Sequence, residues 1–227
     1  YVTDYYRSFG YNINCQELTW FDHADEDLFE NNTDKLSAQD GEMHMVYTGH
    51  VSVKPEMKYC YYVPLAKELA KHKIHLHLYP NPNQYKTSKA YLDLDQNEKY
   101  FHFHEPLPMK QLIHEISRYD WGLWVHAEDP SSRTTVDKMK TGMVNKMFTY
   151  LEAGLPVIVS DSRKYGVDVV QEHGLGFAIN DKDWDKFDQL IEKQDFTALN
   201  NHIKSKRKEL SLQSNKSKLA EFYNNLL

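Results

Sequence analysis

Long hydrophobic runs are missing from this chain. No apolar stretch approaches the roughly 20 residues of a membrane-spanning helix, so no span is expected. Cysteine is scarce. Cys15 and Cys60 stand at no metal-ligand spacing, carry no zinc signature and say little about disulfides, which suits a reducing compartment and a cytoplasmic location. Positive charge is in deficit: 27 Lys and Arg against 33 Asp and Glu give a net charge of −6. A nucleic-acid-binding domain would show a basic face, so no such partner is expected. No targeting segment precedes Tyr1, and the chain reads as a piece of a longer protein cut near a domain boundary. Asn31-Asn-Thr and Asn215-Lys-Ser match glycosylation sequons and are read as chance. Aromatics, by contrast, are plentiful, with 16 Tyr and 10 Phe, which fits an ordered domain rather than a disordered one. A length of 227 residues allows one large domain or two small ones and a sizeable core.

From residue 43 onward the pattern alternates. Met43–Thr48, Lys73–Tyr79, Tyr100–His104, Trp121–Val125, Val157–Val159 and Gly176–Ile179 read as strands, each bounded by Gly, Pro or a polar turn. Between them, Pro55–His72, a short piece around Tyr91, Pro108–Arg118 and Tyr165–His173 read as helices. Residues 182–193, 196–210 and 213–226 are amphipathic and read as helical. The fold class is α/β: a Rossmann-like parallel sheet of about six strands with helices on both faces. Residues 1–40 read as a linker or partial inter-domain segment, with Glu17–Phe21 a candidate strand. Residues 41–210 form the Rossmann-like domain, and residues 211–227 a terminal helix packing toward a partner domain. No internal repeat is found.

One stretch, Lys140 to Asp161, organises the rest. Gly142 stands before a helical pattern whose apolar positions Met143, Met147, Tyr150 and Leu151 share a face. Gly154 suits a helix C-cap, Pro156 bars further helix, and Val157-Ile-Val159 is a β-branched run expected of a buried strand. Such a loop-to-helix turn directs free N–H groups and partial positive charge at one place, with Lys146 in the first turn, and suits a phosphate or diphosphate. An ordinary surface helix carrying one Lys fits the same spacing.

The run Asn145-Lys-Met-Phe-Thr-Tyr-Leu-Glu-Ala-Gly-Leu-Pro-Val-Ile-Val-Ser-Asp161 resembles the donor-site helix and following strand of GT-B glycosyltransferases, in the group 1, GT4-like branch. Lys, Phe, Tyr, Gly, Pro and the apolar strand fall in register. The resemblance covers about residues 40–180 and implies one half of a GT-B fold, whose helix start holds the diphosphate of a nucleotide-sugar. It implies a hexosyltransferase of polysaccharide biosynthesis, working with an N-terminal acceptor domain and inactive as this piece alone. A peripheral membrane association of the full protein is compatible with it. The nucleoside-diphosphate-sugar is substrate, and no cofactor is expected.

In a parallel sheet of this kind, ligands sit beyond the carboxyl ends of the strands. Gly49, His50 and Lys54 follow the first strand; Gly49 allows close approach, and His50 and Lys54 supply charge for phosphate. The family often has Gly-Arg here, so His50 replaces Arg, and Lys54 lies one position early. Glu105 and Leu107, in the loop ending at Pro108, resemble the segment that holds the base. Glu128 ends the fourth strand, before a long loop carrying Arg133, Lys138 and Lys140. Gly142, Met143, Val144, Asn145, Lys146 and Thr149 complete the donor site. The catalytic candidates are His50, Lys54 and Lys146. Many retaining relatives carry two Glu residues eight apart; aligned on Gly154, Thr141 and Thr149 occupy those positions, and Glu152 is a substitute one turn away.

His75 and His77 share a strand face, as do His102 and His104. If those strands pair, four imidazoles converge. No carboxylate or Cys joins them at a ligand spacing, so no metal site is expected. The function read from all this is donor-sugar binding for transfer to an acceptor hydroxyl. The alternatives are a GT-B-fold nucleotide-sugar epimerase and a non-catalytic nucleotide-binding domain.

Overall fold

Six short apolar runs pair into a single parallel sheet. The computed structural model describes residues 2–18, 20, 22–32, 34–56, 60–125, 142, 145–180 and 182–226. The strands are β1 (Met43–Gly49), β2 (Ile74–Pro80), β3 (Phe101–Phe103), β4 (Trp121–Trp124), β5 (Val157–Ser160) and β6 (Gly176–Ile179). Their order across the sheet is β3-β2-β1-β4-β5-β6, with every pairing parallel. The order reverses between β1 and β4, which is the switch point where ligand crevices form.

The helices are α1 (Val2–Ser8), α2 (Leu36–Asp40), α3 (Val63–Lys71), α4 (Pro82–Tyr85), α5 (Lys89–Asn97), α6 (Met109–Ile116), α7 (Lys146–Glu152), α8 (Lys164–Glu172), α9 (Phe187–Ile191), α10 (Phe196–Glu209) and α11 (Leu212–Asn224). Period-two alternation along the strands splits the core. Val46, Trp124, Val157 and Val159 pack under α6, α7, α8 and α10, through Ile113, Met147, Val170 and Ile203. Met45, Leu76, Leu78 and Ile158 pack on the other face against Leu69 of α3, Tyr91 of α5 and Phe187 of α9. Each such fully buried side chain contributes about 1.5–3 kcal/mol relative to exposure.

Three expectations are modified. Of the helix read from Pro55 to His72, residues 57–59 lie outside the described residues, and the described helix runs Val63–Lys71. Pro64 lies in its first turn, where a missing N–H costs nothing, and the residues before it are committed elsewhere: the Cys60 carbonyl accepts from Ser52 N–H at 2.8 Å and Tyr62 N–H donates to Tyr91 Oη at 3.0 Å. The candidate strand at 17–21 does not form among its described residues. That segment meets no sheet edge, and its nearest β contact is an isolated bridge between Ala24 and Ser211. The polar stretch before β1 contains α2, which is tied down: Lys35 Nζ donates to the Ser117 and Tyr119 carbonyls at 2.9 and 2.6 Å. No described helix is long and apolar enough to cross a membrane.

α7 lies directly on the sheet because β4 has a glycine beneath it. A Cβ at Gly122 would stand 2.3 Å from the Tyr150 ring. Gly122→Ala is therefore expected to lower stability by about 1–3 kcal/mol, the usual cost of overpacking. Chemical denaturation measures it; a loss below about 0.5 kcal/mol, the size of a neutral surface change, would contradict the packing described.

Candidate functional site

At the switch point the ladder between β1 and β4 is short, with Met45 opposite Trp121 and Val46 opposite Gly122. Beyond that, Tyr150 of α7 bridges the strands. Its hydroxyl accepts from Thr48 N–H at 3.1 Å and donates to the Leu123 carbonyl at 2.9 Å. Tyr47 and Tyr62 lie beside it with ring centroids 4.1 Å apart. Tyr47 Oη donates to the His50 carbonyl at 2.8 Å, and Tyr62 Oη to the Val125 carbonyl at 3.0 Å. Burial pushes the hydroxyls of all three up, so they stay neutral. A tyrosine floor thus holds the carboxyl ends of β1 and β4 in place.

Lys146 stands on this floor. Its Nζ lies 3.7 Å from the centroid of the Tyr47 ring, a cation–π contact. The ammonium also faces the turn after β1: Gly49 has φ 119°, and a Cβ there would be 3.7 Å from Nζ. A side chain at Gly49 would be strained and would crowd the cation. Burial lowers the Lys146 pKa to about 7. Among the described residues no carboxylate pairs with it. The result is a partly desolvated amine, at the carboxyl ends of the strands, that an anion would hold in its charged form.

The remaining expected residues divide. Gly49 and Lys146 are brought together. His50 follows Gly49, but its exposed ring is held by Gln84, Nδ1 to Nε2 3.0 Å. Gln84 also accepts from Val51 N–H at 3.1 Å, so it straps the turn. Lys54 is exposed, its N–H bonded to Ser52 Oγ at 3.0 Å. Glu105 and Leu107 are exposed in the loop before α6. Gly142 is half-buried, and Asn145 is the residue before α7. Glu128, Met143 and Val144 lie outside the described residues, as do Thr141 and the loop cations Arg133, Lys138 and Lys140. α7 is first described at Lys146, with no side-chain cap from Asn145.

Asn145 and Thr149 open instead onto a cavity of about 390 Å³, which Trp20, His23, Met109 and Glu152 also line. Sequence reasoning missed the first three. Trp20 comes from the stretch read as a candidate strand and His23 from just after it, their rings 4.4 Å apart. Glu152, the expected substitute for the absent acidic pair, does reach this cavity; its Oε1 accepts from Asp25 N–H at 2.9 Å. Arg163, following β5, is buried with its guanidinium 5.4 Å from the Trp124 ring.

The histidine strands do pair, and the structure enlarges the group by one. His44 joins His75, His77, His102 and His104 on one face of β1–β3, where the rings stack; His44 and His75 are 4.4 Å apart and His77 and His102 are 4.4 Å apart. Burial holds His77 well below its ordinary value and His102 at about 4, so these rings are neutral at pH 7.

The glucosyltransferase 3-like, C-terminal domain family matches residues 63–214. The chain belongs to that family. Solved structures share its fold at low identity. Anabaena HepE in complex with UDP and glucose gives a TM-score of 0.57 at 16% identity, covering 89% of this chain and 55% of that one. Sucrose-phosphate synthase from Thermosynechococcus elongatus gives 0.58 at 14%, covering 90% and 51%. The pneumococcal O-GlcNAc transferase GtfA, in complex with UDP and GlcNAc, gives 0.54 at 14%, covering 89% and 38%. This family domain therefore spans about half, or less, of the glycosyltransferases it resembles, and its fold is that of a C-terminal GT-B half. No curated protein matches by sequence.

Glu152 gives this family domain a pH signature. It is 6% exposed, and burial raises its pKa from 4.5 to about 7. A raised carboxyl favours the folded state when protonated, so this stability is present below about pH 4.5 and is lost as pH rises through about 7. Glu152→Gln should flatten that segment of the profile by on the order of 1–3 kcal/mol. Denaturation midpoints of both proteins at pH 5 and 7.5 measure it, and parallel profiles would contradict it.

Proposed function

We propose that this domain binds a nucleoside-diphosphate sugar at the carboxyl ends of β1 and β4 and presents the sugar for transfer to an acceptor hydroxyl. The observation that carries this reading is the Lys146 ammonium on the Tyr47 ring, facing the Gly49 turn with no carboxylate partner among the described residues. Family membership supports the reaction class, and the UDP-glucose complex of HepE makes a uridine diphosphate sugar the first donor to test.

In the transfer, the bond from the anomeric carbon to the diphosphate breaks and negative charge grows on the departing phosphate oxygen. Lys146 neutralises that charge where it develops, as an electrostatic catalyst must. His50 is positioned at the same turn. No metal is needed on this reading, because a protein cation serves. The base and ribose occupy the cavity beside Asn145, Thr149 and Met109. The acceptor-side groups belong to a partner N-terminal half, so the chain alone turns over no sugar. We place the sugar among the hexoses, the parent enzyme in polysaccharide biosynthesis, and its location in the cytoplasm.

Lys146→Ala should weaken UDP-glucose binding roughly tenfold to a hundredfold, since a charge-assisted contact contributes about 1.5–3 kcal/mol. Calorimetric titration at matched ionic strength measures this, with melting curves confirming the fold. Equal dissociation constants for two equally stable proteins would remove Lys146 from the site. No response of the wild type to UDP-, GDP-, ADP- or TDP-sugars would sink the donor reading itself.

A further inference from the structure

The His44 and His75 end of the histidine face lies at the amino ends of β1 and β2, opposite the donor cleft, and has no role in the reaction above. Register creates it. His44 pairs with His75 across β1 and β2, and His77 with His102 across β2 and β3. The His44 and His75 rings are stacked within 4° of parallel. Their Nε2 atoms point outward to acids supplied just before β1: His44 to Asp40 Oδ2 at 3.0 Å, and His75 to Glu42 Oε2 at 2.8 Å. Their inner nitrogens are each held by a further imidazole, His44 Nδ1 by His77 Nε2 at 2.8 Å and His75 Nδ1 by His102 Nε2 at 2.8 Å.

We propose that Asp40, His44 and His75 bind a divalent transition-metal ion, Zn²⁺ above all, through one carboxylate oxygen and two Nε2 atoms. One donor atom from each of the three lies within 4.8 Å of the others. Tetrahedral zinc with bonds of about 2.0–2.1 Å needs donor separations of roughly 3.3 Å. Small side-chain rotations about an ion close that gap. Two imidazoles with a carboxylate form a ligand set suited to zinc rather than to magnesium or calcium. Water completes the sphere, because Glu42 is already engaged by Lys99 Nζ at 3.1 Å and Tyr100 Oη at 3.1 Å.

The second layer supports this assignment. Ligation through Nε2 requires the ring proton on Nδ1, and each Nδ1 faces an imidazole nitrogen that becomes its acceptor when the tautomers shift. The His44 chain continues from His77 Nδ1 to His104 Nε2 at 2.9 Å, so the same tautomer shift runs inward with no net gain or loss of protons. Outer partners that fix the tautomer are what metal-binding histidines have. The ion would fasten β1, β2 and the end of α2 together, far from Lys146, and so act on stability rather than on transfer.

The test uses the intact chain and Zn²⁺ alone. Equilibrium dialysis should find one zinc per chain at micromolar free metal, and zinc should raise the melting temperature where Mg²⁺ does not. Asp40→Ala, at the solvent edge, should weaken zinc binding at least about tenfold, while the metal-free protein melts as the wild type does. His75→Gln should also weaken zinc binding, and His114→Ala, an exposed histidine elsewhere, should change nothing. Absence of binding at micromolar zinc, or stoichiometric binding unaffected by Asp40→Ala, would overturn the proposal. Neither result bears on UDP-glucose binding, which is read separately.

Discussion

The contact on which the molecule depends is Tyr150 against Gly122. A parallel sheet that reverses its order must let neighbouring strands diverge, and divergence leaves backbone groups unpaired. Here one hydroxyl satisfies both sides, accepting from Thr48 N–H and donating to the Leu123 carbonyl. A buried, unpaired amide would cost on the order of 1–3 kcal/mol, so the insertion is a structural necessity. It also sets the height of α7 over the sheet, and thereby where Lys146 can reach. The glycine under Tyr150 and the glycine facing Lys146 are two ends of one arrangement.

That arrangement explains why a cation can sit half-buried with no counter-ion among the described residues. The Tyr47 ring face offers partial compensation, and burial takes up the rest by lowering the amine to about pH 7. Such a group is costly in an empty cleft and favourable once an anion arrives. Perturbed amines in clefts mark sites on these grounds, and the position beyond the strand ends agrees with where α/β sheets bind ligands.

Most of the fold was legible because the strands carry strong apolar signals: Val157-Ile-Val159, for instance, is β-branched and flanked by Pro156. The helix before β2 was read from Pro55 but is described from Val63, because the tertiary bonds of Cys60 and Tyr62 override a weak helical pattern. Gly49 and Lys146 were legible from turn and helix chemistry. The tyrosine floor was not, since a tyrosine in a strand or helix pattern reads only as apolar. Nor were Trp20 and His23, which reach the cavity from a segment misread as a strand and held by long-range bonds such as Asp25 N–H to Glu152. The carboxylates beside the histidines escaped notice for a simpler reason: Asp40 ends α2 and Glu42 follows it just before β1, and only strand register shows what they face.

The account turns on Lys146 being a desolvated amine that regains its proton when the diphosphate binds. Calorimetry of UDP-glucose binding in two buffers of different ionisation enthalpy counts that proton directly, and the diphosphate diester does not itself titrate there. With a free pKa of about 7, the wild type at pH 8 should take up close to one proton per donor bound, and little at pH 6. Buffer-independent heats at pH 8, with binding intact, would mean that the cation facing the donor lies elsewhere.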